Sequence, residues 1–143
     1  MSLVLDSSVV IKWFIPESLE DNAVRLKERI ERLSESVAVP RFFFVEAANV
    51  LWKKAALRKD MSRTDAQGIL SRILDLPMTV LEDDEVLLRA LDISLGHRLS
   101  VYDSMYLASA LRLKATFITA DSVLVKKLAG STLASHVSYL GDL

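Results

Sequence analysis

The chain has 143 residues, with 18 basic and 19 acidic side chains, a formal net charge of −1 and a hydrophobic share of 51%. This length predicts a single domain over residues 1–143 with a sizeable core. The absence of cysteine excludes disulfides, a thiolate nucleophile and a cysteine-ligated zinc site. No apolar run approaches the roughly 20 residues of a membrane-spanning helix, and the N-terminus does not resemble a signal peptide. We therefore expect a soluble cytoplasmic protein with no membrane contact.

The first half of the chain alternates short apolar runs with amphipathic segments. Residues 3–5 are apolar and too few for a useful helix, so they predict a buried strand that runs into Asp6. Ser7 or Ser8 then caps a short helix over residues 9–14. Further along, the pattern predicts a helix over 19–33, a strand over 37–39, a helix over 42–57, a helix over 62–74 that opens on a near capping box, and a strand over 79–81.

The second half continues the same alternation. Acidic residues 82–85 suit a helix start, and we expect this helix to stop at Gly96 as its C-terminal cap. A helix over 102–113, a strand over 116–119, a short helix over 123–128 and a strand over 137–140 complete the chain. Strands that alternate with helices imply a mostly parallel sheet with helices on both faces. The predicted fold class is α/β, a three-layer α/β/α sandwich.

Two of the predicted strands end in an acid. Asp6 follows the first strand, and Asp121 follows the strand over 116–119 after one intervening residue. The carboxyl ends of parallel strands meet at the same edge of a sheet, so these acids can converge if the two strands are neighbours. The alternative is that each acid only caps the helix that follows it.

Two further acids lie on predicted helices in apolar surroundings. Glu46 lies within the apolar segment 43–51, and Asp103 lies at a helix start flanked by aromatic residues. An ionised carboxylate in such surroundings is costly unless it is paired or bound to a metal, and the basic residues lie mostly on outer faces. A cation is therefore the expected partner. The alternatives are that Asp103 is a simple helix cap and that Glu46 is a surface acid.

Carboxylate donors without cysteine, and with only two histidines, favour Mg²⁺ or Mn²⁺ over zinc. Three or four acids around such an ion fit phosphodiester hydrolysis, and without metal at least one carboxylate pKa should rise. Ser8 and Thr119 either orient a carboxylate, a water or a phosphate oxygen, or are ordinary cap and strand-end hydroxyls. The basic run at residues 53–59 either complements a helix C-terminus or contacts phosphate.

Together, four segments of the chain match a known family in the family's order. They are Leu5-Asp6-Ser7-Ser8-Val9 with Lys12-Trp13 downstream, Glu46-Ala47-Ala48-Asn49-Val50-Leu51 after Pro40, Tyr102-Asp103-Ser104-Met105-Tyr106-Leu107-Ala108, and Thr119-Ala120-Asp121. The chain resembles the PIN domain family, and most closely the VapC-type ribonuclease toxins of type II toxin–antitoxin systems.

The resemblance implies a metal-dependent endoribonuclease whose catalytic carboxylates are Asp6, Glu46, Asp103 and Asp121. Mg²⁺ or Mn²⁺ would be held mainly by Asp6, Asp103 and Asp121, Glu46 would position the attacking water or a second ion, and Ser8 and Thr119 would support the site. The resemblance also implies an RNA substrate, a homodimer, and a cognate antitoxin whose C-terminal segment covers the acidic groove.

Two other interpretations compete with this one. The first is a PIN-fold module that binds RNA or protein without catalysis, and only an activity assay separates it from an enzyme. The second is a receiver-like phosphoacceptor domain, which would require an acid pair after the first strand, whereas Asp6 is followed by Ser7 and Ser8.

Overall fold

The computed structural model describes residues 2–143, and its centre is a parallel β-sheet. The described residues form five strands: Ser2–Leu5 (β1), Ser36–Pro40 (β2), Thr79–Leu81 (β3), Thr116–Thr119 (β4) and Val137–Tyr139 (β5). All four neighbouring pairs are parallel, in the order β3-β2-β1-β4-β5. The central strand β1 therefore lies directly beside β4, as convergence of the two strand-end acids requires.

Helices connect the strands and enclose the sheet. Within residues 2–143 they are Ser7–Val10 (α1), Glu20–Leu33 (α2), Phe43–Trp52 (α3), Arg63–Leu74 (α4), Asp84–His97 (α5), Val101–Leu113 (α6) and Ser122–Leu128 (α7). A 3-10 turn over Ile11–Trp13 extends α1, and a π-helical turn over Lys53–Leu57 extends α3. The predicted α/β fold is confirmed. None of the described helices is long and apolar enough to cross a membrane.

The central strands are covered on both faces. Leu3, Val4 and Leu5 of β1 are fully buried, as are Phe117 and Ile118 of β4. Such continuous apolar runs are typical of parallel strands with helices on both sides. Helix α6 packs on β1, β2 and β4. This packing places the first turn of α6 near the carboxyl edge of the sheet.

Local sequence signals account for the start of α4 but not for the end of α5. The predicted start of α4 is confirmed, because the Ser62 side chain accepts a hydrogen bond from the Asp65 backbone N–H at 3.0 Å. The predicted stop of α5 at Gly96 is wrong. The helix passes through Gly96 and ends at His97, and its C-cap residue Arg98 adopts a left-handed conformation with φ of 55°. A glycine inside a helix costs only about 1 kcal/mol relative to alanine, and the close packing of α5 on α6 offsets this.

Candidate active site

Asp6 lies buried at the carboxyl end of β1. It occupies the N-cap position of α1, but its side chain makes no capping hydrogen bond. The carboxylate instead accepts hydrogen bonds from the Ser8 hydroxyl and, at 2.5 Å, from Thr119 Oγ1. The interpretation of Asp6 as a simple cap is therefore wrong. Of the two roles considered for Ser8 and Thr119, orientation of a carboxylate is the one observed.

The same two hydroxyls tie the end of β1 to the end of β4. Ser8 Oγ accepts a hydrogen bond from the Ala120 N–H at 3.2 Å, and Thr119 Oγ1 accepts one from the Asp121 N–H at 3.1 Å. Each hydroxyl thus donates to the Asp6 carboxylate and accepts from the backbone that follows β4. This network fixes the two acidic strand ends against each other.

Burial raises the pKa of Asp6 to about 6. The hydrogen bonds from Ser8 and Thr119 oppose this rise, and the negative charge of Glu46 adds to it. A carboxylate pKa is raised, as expected, but burial contributes more to the rise than the like charge of Glu46 does. Asp6 is therefore a carboxyl group whose charge changes just below neutral pH.

Glu46 reaches the site from the first turn of α3. Its Oε1 accepts hydrogen bonds from Ser7 Oγ at 2.5 Å and from the Tyr106 hydroxyl at 2.9 Å. The interpretation of Glu46 as a surface acid is wrong, because both donors come from buried residues. Glu46 is instead a fixed carboxylate beside Asp6.

Ser7 and Tyr106 are the site residues that sequence reasoning missed. The ring of Tyr106 is buried and stacked on Phe117 with 5.3 Å between centroids. Its hydroxyl, however, reaches the site. A signal was present, because a buried tyrosine needs a partner for its O–H, and Tyr106 lies one turn after Asp103 on the same helix.

Asp103 lies in the first turn of α6, where Ser100 is the N-cap. Ser100 Oγ accepts the Asp103 N–H at 3.1 Å, so Asp103 is not itself the cap. Burial raises the pKa of Asp103, and a hydrogen bond with Ser100 opposes the rise. The charges of Asp121 and Glu46 raise this pKa further, while that of Lys127 lowers it. The charges of two of the other three acids, Glu46 and Asp121, thus act on Asp103.

Asp121 is exposed and caps α7. Its Oδ1 accepts hydrogen bonds from the backbone N–H groups of Val123 at 3.0 Å and Leu124 at 3.1 Å. Here the capping interpretation is correct. Together, electrostatic contacts link Asp6 to Glu46, Glu46 to Asp103, and Asp103 to Asp121. The four predicted acids therefore lie within electrostatic range of one another in sequence, from Asp6 to Asp121, at the carboxyl edge of the sheet.

The donor chemistry of this edge suits Mg²⁺ or Mn²⁺, which bind one or two carboxylates and keep several waters. Within residues 2–143, however, no three or more Asp, Glu or His side chains gather closely enough to hold a metal ion. The hydrogen bonds explain this: Asp6 and Glu46 turn toward hydroxyl donors, and Asp121 turns toward the backbone of α7. The donor types fit the predicted metal, and the ligand set stays a prediction.

Two lysines are buried, although the basic residues were expected mostly on outer faces. Lys12 and Lys54 both pair with Glu17, at 3.0 Å and 2.5 Å. Burial tends to raise the pKa of Glu17, but the two lysines outweigh it and the pKa is lowered. Because Lys54 faces inward, it does not belong to the exposed basic run. This cluster joins the segment after α1 to the π-helical turn after α3, the two helices that supply Ser7 and Glu46.

Comparisons with known proteins agree with this architecture. The family model described as PIN domain matches residues 3–130. A relative called Ribonuclease VapC3, from Pyrobaculum aerophilum, is 30% identical over 130 residues, which are 89% of this chain and 95% of the relative. The crystal structure of PAE2754 from the same organism has a TM-score of 0.66 at 23% identity, over 99% of this chain and 94% of that one. A toxin–antitoxin complex from Klebsiella pneumoniae has a TM-score of 0.66 at 18% identity, over 96% and 97% of the respective chains.

Proposed function

Because the chain belongs to the PIN domain family, we propose that it is a metal-dependent endoribonuclease that hydrolyses RNA phosphodiester bonds. One observation carries the proposal. Four acids that are scattered between positions 6 and 121 come to the carboxyl edge of the sheet, where the charge of each acts on at least one of the others. The relative that is 30% identical over nearly its whole length bears the name of a ribonuclease, which supports RNA as the substrate.

Asp6, Asp103 and Asp121 are the residues that would hold Mg²⁺ or Mn²⁺, with Glu46 beside them. When bound, the ion lowers the pKa of a water and neutralises charge at the leaving oxygen. The side chains around it provide orientation. Ser8 and Thr119 fix Asp6, while Ser7 and Tyr106 hold Oε1 of Glu46 so that this carboxylate positions the attacking water.

We further propose that the chain is the toxin of a toxin–antitoxin pair. The fold match to a chain of the toxin–antitoxin complex supports this, as does the acidic edge, which suits a partner segment of opposite charge. The C-terminal segment of the antitoxin would lie over Asp103 and Asp121 and exclude RNA.

A homodimer is part of the same proposal. Helix α5 carries four exposed leucines at spacings that place them on one face, namely Leu87, Leu88, Leu91 and Leu95. A contiguous apolar face of this kind marks an interaction surface, and two copies of α5 would cover each other symmetrically.

The test of function compares the parent chain with Asp6→Asn and Asp103→Asn in an RNA cleavage assay. We expect at least about a 100-fold loss in either variant, since a neutral side chain is a poor ligand for a divalent cation. Removal of Mg²⁺ by a chelator should stop the parent as well. The matched control is Asp60→Asn, which changes an exposed acid outside the site and should cleave like the parent.

Equal cleavage by the Asn variants, or indifference to the chelator, would contradict the mechanism. A parent chain that binds RNA but never cuts it would instead favour the catalytically silent module.

A further inference from the structure

Two separate attachments join α3 to the segment that begins with α1. At the candidate active site, Ser7 of α1 donates to Glu46 of α3. Away from the site, Glu17 binds Lys12, in the 3-10 turn that extends α1, and Lys54, in the π-helical turn that extends α3. Lys54 follows Glu46 by eight residues, or about 12 Å along the helix at about 1.5 Å per residue. The second attachment is therefore outside the site but on the helix that supplies Glu46.

Lys54 occupies a position on α3 where an apolar residue would be expected. Leu51 is buried on the inner face of the helix, and Lys54 follows it on the same face three residues later. Lys54 is 8% exposed, and Lys12 is 7% exposed. A buried ammonium group is costly unless it is paired and hydrogen-bonded. Glu17 is the partner of both, with its Oε2 3.0 Å from Lys12 Nζ and its Oε1 2.5 Å from Lys54 Nζ.

The charge of the cluster makes Glu17 indispensable to it. One carboxylate balances two ammonium groups, so a net positive charge remains even when Glu17 is ionised. Without Glu17, both ammonium groups would be uncompensated, and to keep them buried would be strongly unfavourable. We expect α3 to turn or slide in that case until Lys54 reaches water. The ion pairs therefore determine where α3 lies relative to the segment after α1.

A small movement of α3 has a large effect at Glu46. Its Oε1 lies 2.5 Å from Ser7 Oγ and 2.9 Å from the Tyr106 hydroxyl. A helix with its side chains is about 10–12 Å wide, so a rotation of about 20° moves a side-chain tip by about 2 Å. Such a shift breaks both hydrogen bonds, which require separations of about 3 Å. In an active site, a misplacement of about 1 Å can lower the rate about 100-fold.

We propose that Glu17 is a positioning residue for Glu46. By holding Lys12 and Lys54 together, it fixes α3 along and about the helix axis, and it thereby brings the Glu46 carboxylate to its two hydroxyl donors. Glu17 acts through α3 and does not touch the substrate. The effect on catalysis rests on the proposed ribonuclease function, whereas the effect on the position of Glu46 does not.

Glu17→Gln tests the kinetic effect, because it keeps the size of the side chain and removes its charge. We expect kcat for RNA cleavage to fall about tenfold and KM to stay the same. In a Glu46→Gln background, the same change should alter kcat by less than about twofold, because no carboxylate remains to be positioned. A residue that only stabilises the fold would have the same effect in both backgrounds.

Glu35→Gln is the matched control. Glu35 forms a second ion pair with a buried carboxylate, at 2.9 Å from Arg29, and its side chain is 4% exposed. It directly precedes β2 and therefore lies at the amino edge of the sheet, away from the acids. Loss of this pair should lower Tm and leave kcat unchanged. Glu17→Gln should lower both, which separates positioning from stability.

A second measurement follows Tyr106 directly and needs neither metal nor RNA. The chain has three tyrosines, and ¹³C labelling at Cζ, the carbon that carries the hydroxyl, gives one NMR signal for each. Tyr106→Phe assigns the signal of Tyr106. We expect Glu17→Gln to shift this signal, because the hydroxyl loses its hydrogen bond to Glu46, and to leave the other two in place. Glu35→Gln should move none of the three.

Lys54→Met decides the matter if Glu17→Gln does not fold. It removes one ammonium group and leaves Lys12 and Glu17 as a neutral pair, and the flexible methionine side chain adapts to a buried position. Because α3 loses the same attachment, kcat and the Tyr106 signal should change as they do in Glu17→Gln.

Three results would overturn the proposal. They are an unchanged kcat in a folded variant, an unchanged Tyr106 signal in a folded variant, and an equal tenfold loss in the Glu46→Gln background. A parent chain that cuts no RNA would contradict the proposed function instead. In that case the Tyr106 signal would still show whether Glu17 positions Glu46.

Discussion

The hydroxyl of Tyr106 donates a hydrogen bond to Oε1 of Glu46 at 2.9 Å, although 60 positions separate the two residues in the chain. This contact joins α6 to α3 across the carboxyl edge of the sheet. Burial raises the pKa of Tyr106 above its ordinary value, and the charges of Glu46 and Asp6 raise it further, so the phenol remains protonated and can only donate here. Tyr106 therefore fixes the direction of the Glu46 carboxylate.

Replacement of Tyr106 by phenylalanine should lower RNA cleavage about tenfold. The change removes one hydrogen bond to a charged group, which is worth roughly 1.5–3 kcal/mol, while Ser7 still holds the same oxygen. We expect kcat to fall and KM to stay the same, because the change affects the orientation of the Glu46 carboxylate and not the binding of RNA. Steady-state cleavage of a defined RNA measures both constants.

The matched control is Tyr102→Phe, which removes the same hydroxyl from an exposed residue on the same helix. It should cleave like the parent. If Tyr106→Phe kept full activity, the hydrogen bond would have no role in positioning Glu46.

Asp6→Asn should change how stability depends on pH in the metal-free protein. The pKa of Asp6 is about 6 in the folded chain, above the value of about 3.9 for a free aspartate. Between these values the folded chain binds more protons than the unfolded chain, so the free energy of unfolding falls as pH rises. Asn has no such titration. The free energy of unfolding of the variant, relative to that of the parent, should therefore increase by about 2 kcal/mol from about pH 4 to pH 7.

Urea denaturation with a chelator present, repeated at several pH values, measures this difference. The test compares how the free energy of unfolding changes with pH, and not its absolute difference between variant and parent, because Asn also alters the hydrogen bonds to Ser8 and Thr119. Asp60→Asn should give a curve parallel to that of the parent. A parallel curve for Asp6→Asn would mean that burial does not raise the pKa of Asp6.

The order of strands and helices could be predicted because each segment carries its own signal. The apolar run before Asp6 predicted the strand β1, and Ser62 predicted the start of α4. Both signals depend on a few neighbouring residues, and both predictions are confirmed. Asp103 and Glu46 stood out for the same reason, as acids in apolar surroundings. Local patterns thus located the candidate site.

Contacts between distant segments could not be predicted in the same way. The pairing of Lys12 and Lys54 with Glu17 depends on how α3 packs beside the 3-10 turn, and no spacing in the sequence encodes it. The same holds for the bond from Tyr106 to Glu46. The left-handed Arg98 was missed because the glycine two residues earlier offered a stronger local signal.

Mg²⁺ should stabilise the parent chain, and more strongly at about pH 8 than at about pH 5. Asp6 takes up a proton near pH 6, and the proton competes with a cation for the same carboxylate. At higher pH the like charges of Glu46, Asp103 and Asp121 add to the attraction. At a Mg²⁺ concentration about 100 times the Kd, the free energy of unfolding increases by about 2.7 kcal/mol, which raises Tm by several degrees.

Thermal unfolding with and without Mg²⁺ measures the effect. Asp103→Asn should abolish most of it, whereas Asp60→Asn should respond as the parent does. An equal increase in Tm at both pH values would indicate that the ion binds elsewhere.

Charged substitutions on the exposed face of α5 should convert a dimer to a monomer. Leu88 and Leu95 are 70% and 76% exposed in the single chain and lie on the same face of the helix. Glutamates at both positions would place like charges opposite each other across a symmetric interface and desolvate them there. Because neither leucine belongs to the buried core, the fold should be retained.

Light scattering after gel filtration should give twice the chain mass for the parent and the chain mass for the double variant. Leu74→Glu, a comparable exposed leucine on α4, should leave the dimer intact, and a double variant that still dimerises would exclude the α5 face as the interface.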